Sequence, residues 1–175
     1  MIVDCITTLF IIDPAVEGGF GEQTIVERNP EIEYPEVVSL EYRFDDWNGD
    51  EIVNSFPCHL ISARLYESLS RAGVSGLAIK DVLISKSEKF DQLSLEVCLP
   101  EFYWLAPIGR ISSIPRHISY AKDFAKTNIW SGHDVCLGPR AELIFSPMAM
   151  KSIDISLIPT GRIRSFSFFQ KASER

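Results

Sequence analysis

The segment VVSLEYRF (37–44) alternates apolar and polar side chains. Val38, Leu40, Tyr42 and Phe44 fall on one face, and Ser39, Glu41 and Arg43 on the other. A period of two marks a β-strand with one face in a core and the other in water. LSLEVCL (93–99), with Leu93, Leu95, Val97 and Leu99 on one face, and RIRSFSFF (162–169) repeat the pattern. MIVDCITTLFII (1–12) adds a largely apolar run suited to a buried strand. Further strands are predicted at 24–29, on a sheet edge, at LAIKDVLIS (77–85) and at 141–145. So many short strands commit the chain to a sheet-based fold.

Helices are fewer. PCHLISARLYESLSRAG (57–73) sets Leu60, Ile61, Leu65, Leu69 and Ala72 on one face, opposite Arg64, Glu67, Ser68 and Arg71, with Gly73 as a left-handed C-cap. Ser146 as N-cap and Pro147 as first helical residue start a short helix running to about Ile155. Residues 116–128 carry a weaker helical spacing. DPAVEGGFGEQ (13–23) and DDWNGDE (45–51) read as turns, and PEFYWLAPIGRISSIP (100–115) as loop with a short strand. The expected fold is α+β: a mixed, largely antiparallel sheet with two or three packed helices in a single domain over 1–175. Residues 1–56 form its acidic, β-rich part and 57–175 its helix–strand units. A length of 175 residues, 46% hydrophobic and 23% charged, suits one such core.

The apolar start has no basic n-region. Asp4 and Asp13 bracket it, and no small-residue cleavage site follows, so it reads as a strand rather than a signal peptide. No window reaches the roughly 18–20 apolar residues of a membrane helix. A cytoplasmic protein with no membrane partner is expected. Cys5, Cys58, Cys98 and Cys136 include no CxxC pair, which argues for reduced thiols over zinc or disulfides.

The net charge of −7 is unevenly spread. Residues 1–100 carry eighteen acidic against seven basic side chains, and residues 101–175 six against ten. Between Glu27 and Glu51, nine carboxylates face only Arg28 and Arg43. Such a surface repels phosphates, so no nucleic-acid partner is expected for it; it is either a solvated face or a field that steers a basic protein.

Motifs for chemistry are sparse. Phosphate loops, GxSxG, HExxH and kinase signatures are absent. His133 could form a dyad with Cys136, Cys98 or Cys58, but its neighbour Asp134 cannot orient it, because adjacent side chains on a strand point apart. WSGHDVCLGP (130–139) therefore reads as a corner, with turns at Ser131-Gly132 and Gly138-Pro139 and a strand beginning at Val135. His59, at the N-terminal edge of the predicted helix, is expected at the surface or boundary, and His117 is expected to be exposed. Asp46, Asn48 and Asp50 match part of a calcium loop that lacks its terminal glutamate, which favours a polar turn. Arg110, Arg116, Lys122, Lys126 and Arg140, near Trp104, Tyr120 and Trp130, read as scattered surface charge. No catalytic residue, metal or cofactor is expected.

LYESLSRAGVSGLAIKDVLISKSEKF (65–90) has a helix ending in AGVxG followed by a strand, and WSGHDVCLGPRAELIFSPMAMKSIDIS (130–156) a turn, a strand and a Ser-initiated helix. Together they resemble the DUF1629/Imm11-type immunity proteins of bacterial polymorphic toxin systems, over roughly residues 60–170. The resemblance rests on structural residues and carries no catalytic motif. It implies a small cytoplasmic protein that binds and neutralises a cognate toxin. An acidic surface would speed capture of a basic toxin. Asp45, Asp46, Trp47, Asp50 and Glu51 are the candidate partner-binding residues, with Trp47 either exposed as an anchor or folded back into the core. A cysteine-dependent enzyme and a structural or regulatory subunit of an oligomer are the alternatives.

Overall fold

Tyr42 and Phe44 are fully buried while Arg43 between them is exposed, so the alternation holds over YRF of β5 (Glu41–Phe44), but Glu41, expected on the water face, is buried too. The computed structural model describes residues 5–28, 36–93, 97–110, 135–137, 143–151, 153 and 163–170. Upstream, the pattern changes phase at Leu40. Val37 and Leu40 are buried and Val38 is exposed, so VVSLEYRF is two strands, β4 (Glu36–Ser39) and β5, rather than one.

Four sheets form among the described residues. In the largest, β1 (Cys5–Ile12) pairs antiparallel with β13 (Leu143–Phe145) and β14 (Ile163–Gln170). Beyond β13 follow β12 (Val135–Leu137) and β11 (Gly109–Arg110), which runs parallel to β12. A second sheet has the order β6 (Ile52–Ser55), β7 (Cys58–Ser62), β10 (Phe102–Leu105), β8 (Ile79–Lys80), all antiparallel. In the third, β5 lies between β2 (Gly18–Phe20) and the parallel β9 (Leu83–Lys86). The fourth is a ribbon of β3 (Ile25–Glu27) and β4.

The second sheet feeds two cores. Ile52, Ile61 and Leu105 project into one, with Ile12, Phe145, Leu65 and Leu69. Val53, Leu60 and Trp104, their strand neighbours, project into the other, with Tyr42, Phe44 and Phe90. Each such aliphatic or aromatic side chain contributes about 1.5–3 kcal/mol when taken fully from water. The helices are short and lie on strands: α1 (Ala63–Arg71) on β7, α2 (Glu88–Leu93) on β9, and α3 (Pro147–Lys151) on β1 and β13. Sheet dominates this α+β fold. No helix among the described residues is long and apolar enough to cross a membrane.

Several expectations require correction. The predicted helix at 57–73 begins only at Ala63; CHLIS before it is β7, buried at all five positions. A strand buried on both faces shows no alternation, so its apolar run merged with that of the helix. Phe56 and Pro57, joined by a cis peptide, form the turn between β6 and β7. The division expected at 56/57 therefore falls inside a hairpin. LAIKDVLIS is two strands in different sheets, β8 and β9, and the glycine-rich turn 13–23 contains β2. Leu93 ends α2 rather than starting a strand, and residues 97–100 are irregular. Residues 94–96 lie outside the described set, as do the predicted helix at 116–128 and His117.

Other expectations agree with the structure. Gly73 has φ +74°, and its N–H reaches the Ser70 carbonyl (3.0 Å) while the Val74 N–H reaches Leu69 (3.0 Å), a complete Schellman closure of α1. Ser146 Oγ accepts the Ala149 N–H at 3.2 Å, and Pro147 opens α3.

Candidate functional site

The acidic turn between β5 and β6 is built around Glu17. The Glu17 carbonyl accepts the backbone N–H groups of Asp45 (2.8 Å) and Asp46 (3.1 Å), which fixes where the chain leaves β5. The Glu17 carboxylate accepts the Asn48 amide, Nδ2 lying 3.3 and 3.1 Å from its two oxygens. Gly49, at φ +93°, completes the bend in the left-handed region open to glycine. Burial raises the Glu17 carboxyl above the ordinary glutamate value; the adjacent Asp50 and the more distant Asp46 add to the rise, and the Asn48 amide opposes it. The turn thus concentrates more negative charge than its own groups neutralise. No basic side chain among the described residues pairs with Asp45 or Asp50.

The five residues expected to form a partner surface separate into three groups. Asp45, Asp46 and Asp50 are half-buried at the rim of the turn. Trp47 folds back: its ring packs against the core that holds Tyr42 and Phe44, and its Nε1 donates to the Asp50 carbonyl at 3.0 Å. It is an anchor of the turn rather than a protruding hot spot. Glu51 is a correction, because it is only 2% exposed. Its carboxylate accepts the Ser62 hydroxyl and the Arg64 guanidinium. Glu51 is an internal brace, and its charge is not offered to a partner.

The ribbon joins β3, within the edge strand expected at 24–29, to β4, and it carries an exposed acidic pair. Glu27 and Glu36 are both exposed and stand directly opposite each other. The base of the ribbon is tied down by Glu41. Its carboxylate accepts the Gln23 N–H (2.7 Å) and the Ser85 hydroxyl (2.6 Å), and its carbonyl accepts the Gly21 N–H (2.8 Å) and the Thr24 hydroxyl (2.9 Å). Sequence spacing hides this clamp, since Ser85 lies 44 residues from Glu41.

Among the described residues, the one histidine, His59, does not face the Cys58 thiol beside it. His59 lies within β7, 4% exposed, instead of at a helix edge. It is opposite Asn54 and Leu105, on the face away from Cys58. Burial pushes the Cys58 thiol up to about 12, against a small opposing effect from Lys80. Cys136 is buried in β12 and Cys98 is exposed. His133, Asp134 and both turns of WSGHDVCLGP lie outside the described residues; Val135 begins a strand, as expected. Arg116, Lys122, Lys126, Arg140, Tyr120 and Trp130 also lie outside them. Among the described residues, no three His, Cys, Asp or Glu side chains gather as metal ligands.

No protein-family model matches the chain, and no curated protein matches it.

Proposed function

We propose that this protein is an immunity-type inhibitor, which binds a basic toxin protein in the cytoplasm and neutralises it by occupying its surface. The observation that carries the reading is the electrostatic state of the turn at 45–50. Burial raises the Glu17 carboxyl first, and Asp50 and then Asp46 add a like-charge repulsion that a lysine or arginine from outside would relieve. Trp47 and Asn48 already hold the loop, so a partner need not order it on binding. A negative surface favours a cationic protein over a nucleic acid, whose phosphates it repels. The resemblance at 65–90 and 130–156 supplies the partner's class. Catalysis by Cys58 fits poorly, because its thiol is buried and protonated.

The test is co-expression with the polypeptide encoded beside this one. That neighbour alone should arrest growth, and the wild-type chain should restore it. The Asp45→Lys/Asp50→Lys variant should lose rescue and weaken binding by about tenfold or more, with affinity falling as salt rises. A neighbour that is not bound, or one bound equally by the variant and independently of salt, overturns the reading.

A further inference from the structure

We propose that the β3–β4 ribbon is a docking strand for an extended segment of the partner in which basic and apolar side chains alternate. This rests on the reading above that the partner is a basic protein. Every residue of β3 is exposed, and the strand pairs only with β4 among the described residues, which leaves its other edge without a strand. The ribbon also presents Ile25 (55% exposed), Val26 (42%) and Val38 (51%), apolar area for the alternate side chains of an added strand.

The charge on the ribbon selects the occupant. Glu27 faces Glu36 across the two strands, a like-charge pair that disfavours the ribbon standing alone. Arg28 follows Glu27, yet no ion pair joins it to either glutamate among the described residues. A lysine or arginine on an incoming strand would lie beside Glu27, on the side away from Glu36, and its positive charge would offset this repulsion. A second copy of the same ribbon would bring four carboxylates together, so self-pairing through this edge is disfavoured. The docking edge is also held in place before binding. Val37 and Leu40 are plugged into the core, and the Glu41 clamp fixes Thr24 beside the start of β3. Little ordering then remains for binding to supply.

The probe is a labelled peptide of roughly eight residues alternating lysine and valine, long enough for an ordinary strand. Its control has the same composition with the lysines and valines in separate blocks. Fluorescence anisotropy at low salt should show the alternating peptide binding about tenfold tighter than the block peptide. Glu27→Lys should remove that preference while leaving the fold as stable or more so, since the new lysine faces Glu36 and satisfies it internally. Amide shifts on peptide addition should centre on Val26 and Glu27. Equal affinity for the two peptides, or unchanged binding by Glu27→Lys, overturns the proposal. Binding that depends on Asp45 and Asp50 but not on Glu27 removes strand docking alone; the basic-partner reading stands or falls on the co-expression test.

Discussion

The Ser62 hydroxyl donates to the buried Glu51 carboxylate, and the same oxygen accepts the Leu65 N–H at the start of α1. The Ser62 N–H also reaches the Glu51 carbonyl at 2.8 Å. One serine therefore ends β7, caps α1 and satisfies a carboxylate that would otherwise be costly to bury. Arg64, on the outer side of Glu51, is largely exposed. Ser62→Ala is expected to cost about 1–3 kcal/mol, from a lost cap and a less satisfied acceptor. Arg64→Ala should cost less, about 1 kcal/mol, because the Arg64 side of the pair lies in water, which can reach the Glu51 carboxylate once the guanidinium is gone, while Ser62 still donates to it. Urea denaturation should rank the two variants in that order with an unchanged m-value.

The Glu41 clamp makes a steric prediction and a pH prediction. A methyl group on Gly21 would overlap the Glu41 side chain, which two hydrogen bonds prevent from moving aside, so Gly21→Ala should destabilise by about 1–3 kcal/mol. Gly18→Ala should cost at least as much, because its methyl would meet the backbone of Arg43 across the β2–β5 pair. The Ser85 hydroxyl and then the Gln23 N–H hold the Glu41 carboxyl below its ordinary value near 4.5. A lowered folded-state value stabilises above the unfolded value and loses that stabilisation as pH falls through the folded one. Glu41→Gln should therefore be less stable than wild type at neutral pH, with the gap closing as the solution becomes more acid than pH 4.5. Denaturation midpoints across an acid titration would measure this.

Glu17 has the opposite sign. Its carboxyl is raised, so its contribution is fully present below the unfolded value of 4.5 and lost as pH rises through the folded one. Glu17→Gln removes the charge that Asp50 and Asp46 repel, while its amide oxygen can still accept from Asn48. The variant should melt higher than wild type at neutral pH, and the advantage should vanish near pH 4. An advantage that persists unchanged into acid would mean packing, rather than charge, sets the difference.

What the sequence made legible follows from which faces water touches. Tyr42 and Phe44 alternate with exposed Arg43, so β5 could be read directly. Ser146-Pro147 and Gly73 were legible because caps are local chemistry, complete within a few residues. CHLIS was not, since burial on both faces erases the period that separates strand from helix. LAIKDVLIS misled because the chain leaves one sheet and joins another around Asp81 and Val82, with no glycine or proline to mark the step. Asp45, Asp46 and Asp50 were placed at a surface turn, but Glu51 beside them was not separable by composition. Its partners Ser62 and Arg64 lie 11 and 13 residues away.

The cysteines give the most direct discrimination between a binding protein and a thiol enzyme. Burial pushes the Cys58 thiol up to about 12, so it stays protonated at neutral pH. The nearby Lys80 ammonium, held 4.5 Å over the Trp104 ring, does too little to reverse this. A catalytic nucleophile requires the reverse, a thiolate reached by solvent. Alkylation of the native protein, followed by peptide mapping, should therefore modify Cys98 quickly and Cys58 and Cys136 slowly, in keeping with their exposure. The two slow sites should accelerate with denaturant in step with unfolding, because their reaction waits on opening of the core. Rapid labelling of Cys58 in the folded chain would contradict its burial and restore the enzyme reading.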